Sequence, residues 1–455
     1  DIYIQSMLGT RLLTKLQDDI TADTLTDPYL SLLTTYVKPC LIHASMLEYL
    51  PTAAISITNK GVYKHGAENS ETVSKEEIDF ITEKQRQTFM HYKERFVDYI
   101  CQNLKEELQD LSGKRLLIVG GAGFLGYYLV QTILHWNNKN NEDLPIDLVV
   151  YDNFMRGVPD WLEKLKVKNN IKIKKHDVIN PLPNDIGNIN YIIHAATIAS
   201  PIYYRQYPIE TMNANVDGLR HLLDYCLTQN EKGCSVDGFL FYSTSEIYGD
   251  PNPENIPTDE TYRGNVSCTG PRACYDESKR YGETLCVNYA QQYNIPVRIA
   301  RPFNNYGPGL KISDRRALPD FARDVLNNKD IVMLSDGSPT RTFCYVADAI
   351  VGYYKILTRG HNGDSYNIGT DSPEISMREL ATRVVKKSQE LFDYKGKIVF
   401  SKSDDEHYLT DNPNRRCPVI SKARKDLNYD PKIDLEEGLE RSMLWYADNR
   451  DGDKS

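Results

Sequence analysis

The sequence contains no uninterrupted apolar stretch near the roughly 18 residues needed to span a bilayer, so nothing in it reads as a membrane segment and no membrane partner is expected. It also lacks an excess of basic charge. With 54 Lys+Arg against 63 Asp+Glu the net charge is -9, which leaves no electropositive footprint for nucleic acid. Any anionic ligand would need local arginines against that background. The nine cysteines, at 40, 101, 226, 234, 268, 274, 286, 344 and 417, form no C-x-x-C pair and are odd in number. That pattern excludes a disulfide framework and a zinc site, and points to reduced thiols in a cytoplasmic setting with no metal. No internal repeat and no signal-peptide pattern are evident in the residues given, which start at Asp1. At 455 residues, 40% hydrophobic and 26% charged, the composition is that of an ordinary globular protein of two or three domains.

What is present is a glycine turn in a telling position. Gly120-Gly121-Ala122-Gly123-Phe124-Leu125-Gly126 directly follows the apolar run Leu116 to Val119 and precedes Tyr127 to Leu134, which reads as a helix. Strand, glycine turn and helix in that order hold a dinucleotide. Gly120 permits the tight turn, Gly123 lets backbone N–H groups approach a pyrophosphate, and Gly126 lets helix and strand pack closely. The next strand, Leu148 to Tyr151, ends at Asp152, about where an acid meets the adenosine ribose. Asp152 favours NAD over NADP, while Arg156 nearby leaves that open. Phe124 and Leu125 in the turn, Asn153 after Asp152, and the pair Asp177 and Val178 complete this part of the expected cofactor site.

From residue 114 onward strands and helices alternate, the signature of a doubly wound parallel sheet covered on both faces. The expected strands are Leu116 to Val119, Leu148 to Tyr151, Ile171 to Lys174, Tyr191 to His194, Phe239 to Ser243 and Val297 to Arg301, with helices including Pro208 to Leu227 and Tyr275 to Tyr293. The polar run Asn137 to Asp143 reads as an exposed loop. Residues 1–110 read differently, as a mainly helical domain. Leu30 to Leu50 suggests one helix. Ser74 with Glu77 makes a capping box opening a second, amphipathic one of about eight turns that runs through Leu108. Asn59 to Glu71 reads as an exposed loop between them. The expected domains are therefore 1–110, helical and structural; 111–300, dinucleotide-binding of Rossmann type; and 301–455, a smaller lobe, mainly substrate-binding.

Tyr275 and Lys279 lie four apart on a predicted helix, hence one turn apart on one face. With 31 tyrosines in the chain the spacing alone decides nothing. Position adds weight, because the pair follows a strand that ends in Ser243-Thr244-Ser245-Glu246, and ligands bind at the carboxyl ends of strands in open α/β sheets. A phenol is a poor base at pH 7, its pKa being near 10. An adjacent ammonium and a positive nicotinamide ring would both favour the phenolate.

Gly120-x-x-Gly123-x-x-Gly126, Tyr275-x-x-x-Lys279 and the Ser/Thr strand end resemble the extended short-chain dehydrogenases/reductases that act on nucleotide sugars. His194-Ala195-Ala196, Ala199 to Tyr204, Ser243 to Asp250, Gly270 to Arg280 and Arg301 to Pro308 are similar, within that family, to the UDP-glucuronate decarboxylases, also called UDP-xylose synthases. The resemblance covers about 114–446. At the strand end the 4,6-dehydratases of the family carry Thr-Asp-Glu, whereas this chain has Thr244-Ser245-Glu246. Ser245 is no substitute for the acid that protonates a leaving hydroxyl, so dehydration is the weaker reading. The 4-epimerases usually lack the glutamate that Glu246 supplies. Epimerase or dehydratase action on another nucleotide sugar stays as the alternative.

The resemblance implies NAD-dependent oxidation at carbon 4 of UDP-glucuronate, loss of CO₂ from the resulting β-keto acid, and return of the hydride to give UDP-xylose. Tyr275 would be the base, assisted by Lys279 and Thr244, with Ser245, Glu246 and Arg416 at the reacting end. Arg341, with Arg316, would bind the diphosphate; Arg416, Tyr204 and Glu246 would face the sugar carboxylate, and Asn304 would also contact substrate. Cys417 and Val419 depart from the lysine and aspartate common in that stretch of the family. Homodimers through a helix bundle are common in the resembling family.

Asp27-Pro28-Tyr29, Tyr36 to Pro39, Thr58 to Val62 and Glu68 to Glu71 resemble tailed-phage neck or head-completion ring proteins. That resemblance implies a higher ring assembly and a virion-associated setting, with a structural role for the whole chain as a competing class of function.

Overall fold

In the computed structural model the described residues are 95–140, 144–165, 170–401 and 410–449, together with the backbone of 55–58, 61–64 and 71–72. The chain divides into Asp1–Phe96 and Val97–Ser455. In the first unit the described elements are strands. Ile55–Thr58, Gly61–Lys64 and Glu71–Thr72 form an antiparallel meander in which Thr58 pairs with Gly61 and Lys64 with Glu71. This corrects the loop expected over 59–71 at 61–64 and at 71; residues 59–60 and 65–70 lie outside the described residues. The β-branched and aromatic types in Ile55-Ser56-Ile57-Thr58 and Val62-Tyr63 favour extended backbone, and their short runs were masked by polar neighbours. The helix expected over 30–50 and the capping box at Ser74 and Glu77 lie outside the described residues.

The division between the two units falls at 96, inside the expected 1–110 domain. The last turns of the long amphipathic run are two helices, Arg95–Asn103 and Lys105–Leu111, interrupted at Leu104. Ile100, Leu104, Leu108 and Leu111 are fully buried, each contributing about 1.5–3 kcal/mol. Tyr99 donates to Asp348 at 2.7 Å, and Glu107 pairs with Lys355 at 3.5 Å. Both partners lie on helix Val346–Arg359, so 97–111 belongs with the second unit.

That unit is built on a seven-stranded, wholly parallel sheet. Its order in space is Ser365–Ile368, Val297–Pro302, Gly238–Tyr242, Tyr191–His194, Arg115–Val119, Asp147–Asp152 and Ile171–Lys175. Helices cover both faces, which is why Leu116–Val119 and Phe239–Phe241 are unbroken apolar runs without alternation. Strand order reverses between Arg115–Val119 and Tyr191–His194, opening a crevice at their carboxyl ends.

Six strands match the sequence reading to within a residue. The seventh, Ser365–Ile368, was not anticipated and returns from the C-terminal lobe, so 301–455 completes the sheet as well as capping it. The polar run from Asn137 is a second correction. The glycine-turn helix spans Phe124–Asn140, and the Asn137 side chain is buried, donating to Ile146 O and accepting from Ile146 N–H, both at 2.9 Å. An amide satisfied on both sides extends the helix where composition alone suggested a loop. Past the sheet, short strand pairs and the three-stranded arrangement of Ile375–Ser376, Thr340–Arg341 and Arg415–Arg416 build the smaller lobe.

Candidate active site

The glycine turn does what its sequence requires. Gly120 has φ +87°, and a Cβ there would meet Ala196 N at 2.5 Å; a Cβ on Gly126 would overlap Gly121 O. Gly123 differs. A Cβ there would find only Gly120 O, at 3.8 Å, so no protein atom demands the glycine and the space above it is open. Asp152 closes the turn from the neighbouring strand, accepting from Ala122 N–H at 2.9 Å and Phe154 N–H at 2.8 Å. Burial pushes its carboxyl up, and those two N–H groups pull it back down only in part. Asn153 donates to Asp177 at 3.1 Å. The Val178 side chain turns into the core, against Gly218. Phe124 and Leu125 open the helix at Phe124–Asn140. An acid beside the turn, an open glycine and a helix N-terminus suit NAD, with the pyrophosphate over Gly123.

On the other side of the crevice, helix Ala273–Tyr293 carries Tyr275 and Lys279, both buried. Lys279 Nζ donates to Tyr242 O at 2.6 Å and lies 6.0 Å from the Tyr275 ring centroid. Burial pushes Lys279 down to about 7, with Cys286 and Glu283 opposing weakly. Burial likewise pushes the Tyr275 phenol up to about 12, against the hydrogen bond from Thr244 and the charge of Arg316. The expected lowering by the ammonium and the nicotinamide ring together is not reached in the protein alone. In the protein alone desolvation wins for both groups, since each loses more hydration than its neighbour returns. Thr244 caps the short helix Ser245–Tyr248, accepting from Glu246 N–H at 3.2 Å, and Ser245 is buried beside it.

A buried network holds this helix in place. Glu283, one turn beyond Lys279, accepts from Ser243 and pairs with both nitrogens of the Arg301 fork, at 2.9 and 2.5 Å. Arg301 also donates to Tyr248 OH, which donates to Asn367 on the seventh strand, each at 2.7 Å. The helix carrying Tyr275 and Lys279, the strand end and the C-terminal lobe are thereby tied together.

Glu246 is the centre of a charge cluster. Its Oε2 accepts from both Arg272 and Arg416. Burial alone would raise its carboxyl, but Arg272, Arg416 and Arg341 outweigh that and hold it below the usual carboxylate range. Arg272 also faces Asp276 at 3.6 Å. Burial and the Glu246 charge push Asp276 up, toward its neutral form. Arg341 pairs along the strand with Arg416, and its guanidinium is held by the carbonyls of Thr340, Pro413 and Asn414 and by the Asn412 side chain. Burial and the neighbouring Arg416 push it down to about 9. Three guanidinia thus face Glu246 and Asp276, with the charge of Asp250 also reaching Arg341, and with Asp276 pushed toward neutrality the surplus is positive. Sequence reading missed Arg272 and Asp276, although both lie in the run Gly270 to Arg280 that carries the resemblance.

Tyr204 stacks on Tyr275 and its hydroxyl is buried without a hydrogen-bond partner. Asn304, at φ +42°, donates to Thr342 O at 2.8 Å, next to Arg341 in sequence. Arg316 pairs with Asp314 at 2.9 Å, and its charge reaches Tyr275. Tyr275, Lys279, Thr244, Glu246, Arg416, Arg341 and Tyr204 are therefore brought together; Val178 stands apart in the core.

Residues 116–369 match the NAD dependent epimerase/dehydratase family, and residues 4–109 match a family of unknown function (DUF6712). The UDP-glucuronic acid decarboxylase 6 of Arabidopsis thaliana is 38% identical over 330 residues, 72% of this chain and 87% of its own. The UDP-glucuronic acid decarboxylase 1 of Xenopus tropicalis is 30% identical over 408 residues, 89% of this chain and 88% of its own. Among solved structures, a dTDP-glucose 4,6-dehydratase from Streptomyces venezuelae with NAD bound superposes with a TM-score of 0.63 at 23% identity, covering 74% of this chain and 98% of its own. The UDP-glucuronic acid 4-epimerase of Bacillus cereus, solved with UDP-glucuronic acid and NAD, gives 0.57 at 24% identity, covering 73% and 98%. These two likenesses carry the fold.

Proposed function

The chain belongs to the NAD-dependent epimerase/dehydratase family, and from that premise we propose that it decarboxylates a nucleotide-linked uronic acid, converting UDP-glucuronate to UDP-xylose and CO₂. The observation that carries this reading is the buried cationic surplus of Arg272, Arg341 and Arg416 around Glu246, with Arg272 at the start of the helix that carries Tyr275. A substrate with a carboxylate and a diphosphate needs such a surplus; a neutral hexose on the same nucleotide needs less of it. Ser245, standing where the family's dehydratases carry an acid, supports loss of CO₂ over loss of water.

NAD, when bound through the glycine turn and Asp152, supplies the hydride acceptor and donor and a positive ring charge beside the phenol. Tyr275 then takes the proton of the sugar 4-hydroxyl, with the Thr244 hydroxyl bonded to the phenol and easing its ionisation. A ketone at carbon 4 makes the carboxylate at carbon 5 labile: the bond between carbons 5 and 6 breaks, and its electron pair enters the ketone as an enolate. Tyr275 and Thr244 stabilise the oxygen of that enolate by hydrogen bonding. Carbon 5 is protonated, the hydride returns to carbon 4 and Tyr275 gives its proton back to the 4-oxygen, so that each turnover consumes one proton and releases one CO₂. Arg416 and Arg272 hold the carboxylate end, Arg341 and Arg316 the diphosphate, and Asn304 the substrate beside them.

Exposed apolar side chains on the packed pair Pro208–Glu231 and Ala273–Tyr293, namely Ile209, Met212 and Tyr281, support a homodimer through these helices. Residues 1–110 would add a ring-type assembly on the strength of their phage neck-protein resemblance. Among the described residues no helix is long and apolar enough to cross a membrane. Incubation with UDP-glucuronate and no added reductant tests the central claim. Release of CO₂ with formation of a nucleotide pentose is expected; recovery of the 4-epimer alone overturns it.

A further inference from the structure

Pro308 to Arg316 runs over the cofactor side of the crevice and is fastened at both ends. At its start, Tyr128 OH donates to Pro308 O at 2.8 Å, and a Cβ on Gly309 would lie 3.8 Å from the Phe124 ring. Both contacts are with the first turns of the glycine-turn helix, where a pyrophosphate would sit. At its far end Asp314 is almost wholly buried between two guanidinia. Arg156 Nη1 reaches Oδ2 at 2.9 Å from one side and Arg316 Nε reaches Oδ1 at 2.9 Å from the other. Ser200 Oγ donates to Asp314 O at 3.0 Å, and Lys311 Nζ to Arg156 O at 3.3 Å.

One guanidinium, that of Arg316, belongs to the segment itself, and the other, that of Arg156, comes from the loop after Asp152. Arg156 lies four residues after Asp152, on the loop beside the expected adenosine ribose, and its guanidinium stands 5.3 Å from the Tyr203 ring centroid. Arg316 lies near enough to Tyr275 for its charge to act on the phenol. Asp314 therefore joins the loop after Asp152 to Arg316, whose charge reaches Tyr275. The buried carboxylate has a cation at each oxygen, Oδ2 accepting a hydrogen bond from Arg156 while Oδ1 faces Arg316 Nε without a hydrogen bond.

We propose that Pro308–Arg316 is a strap across the NAD cleft and that Asp314 and Arg156 are the residues that fasten it, keeping NAD in the protein between turnovers. The pair also answers the question Arg156 raised in the sequence: its guanidinium is engaged by Asp314 and is not presented to a ribose 2′-phosphate. The inference rests on NAD dependence, not on the decarboxylation reading, and its test uses no nucleotide sugar.

The full chain is loaded with NADH and chased with excess NAD, and the loss of bound-NADH fluorescence gives the dissociation rate. Arg156→Leu and Asp314→Asn should each raise that rate by about tenfold or more, since affinity changes of this kind appear mainly in dissociation. The double variant should be no faster than the faster single, because the two residues act as one fastening. Arg156→Lys, which keeps the charge and disturbs folding least, should stay nearer wild type than Arg156→Leu. Rates within twofold of wild type in folded Arg156→Leu overturn the proposal, and so does unchanged NADH release accompanied by weakened NADP binding, which would return Arg156 to the ribose.

Discussion

Tyr204 lies flat on Tyr275, with ring centroids 5.0 Å apart and planes 7° from parallel. The rings come from separate helices, Pro201–Gln206 and Ala273–Tyr293, so the stack fixes the Tyr275 phenol from outside its own helix. The Tyr204 hydroxyl has no partner, and a buried hydroxyl in that state costs about 1–3 kcal/mol. Tyr204→Phe should therefore leave thermal stability unchanged or raise it, while raising KM for the uronate if the hydroxyl meets substrate. Tyr204→Ala removes the stack and should lower stability by about 3–5 kcal/mol. Thermal denaturation and steady-state kinetics on both variants separate the two roles.

Glu246 gives a second expectation, with a definite sign. Its carboxyl is held below the ordinary value of 4.5 because three arginines outweigh its burial. A carboxylate whose folded pKa is depressed contributes stability that is complete above the unfolded value and is lost as pH falls through the folded one. Glu246→Gln should be less stable than wild type by about 3 kcal/mol at neutral pH, since Arg272 and Arg416 lose their counter-ion. The gap should narrow steadily below pH 4.5. Urea denaturation of both proteins at a series of acidic pH values measures it; a gap that is constant with pH would place the charge elsewhere.

Lys279 has the same sign at the other end of the scale. Burial lowers its pKa from 10.5 to about 7, so the unfolded chain binds the extra proton between those values and stability rises with pH across that window. Lys279→Met carries no such proton. Its stability relative to wild type should be highest below pH 7 and fall by at most about 1.4 kcal/mol per unit as pH rises. Denaturant melts from pH 6 to 9 give the slope, and its absence would mean the ammonium is better solvated than its position beneath the sheet implies.

Arg301 tests the network behind the helix carrying Tyr275. It pairs with Glu283 and bonds Tyr248, and its removal strands a largely enclosed carboxylate one turn from Lys279. Arg301→Met should cost about 3–5 kcal/mol, measured by urea denaturation. Glu283→Gln with Arg301→Met, which removes the stranded charge, should recover part of that loss.

The parts of this architecture that were legible in the sequence are those where one physical demand dominates. Strands buried on both faces must be apolar throughout, so Leu116–Val119 and Tyr191–His194 stand out; the return strand Ser365–Ile368, with Asn367 bonded to Tyr248, does not. Gly120 and Gly126 were readable because close backbone contacts leave no alternative. Asn137 was misread because its polarity signals a loop unless Ile146 is known to satisfy it from nine residues away. Arg272 was missed for a similar reason: its meaning depends on Glu246 and Asp276, and the proximity of Glu246 is a product of the fold. The direction of the Tyr275 shift depends on desolvation, which no local pattern encodes.

The glycines of the turn allow the cofactor's grip to be separated from the fold's own needs. A Cβ on Gly126 would run into Gly121 O, and one on Gly120 would meet Ala196 N at 2.5 Å on a backbone with φ +87°, so alanine at either position should impair folding itself. Gly123 has neither constraint, its nearest foreign atom being Gly120 O at 3.8 Å. Gly123→Ala should therefore fold with the NAD-free stability of wild type, or gain about 0.4–1 kcal/mol from a less flexible unfolded chain. The added methyl instead occupies the space into which the pyrophosphate must come, and NAD affinity should fall by about tenfold or more. Calorimetric titration with NAD, set beside melting curves of the NAD-free proteins, measures both effects. Unchanged NAD affinity in Gly123→Ala would mean that the dinucleotide does not pass over this glycine, and a loss of folding there would mean that the open space belongs to the protein.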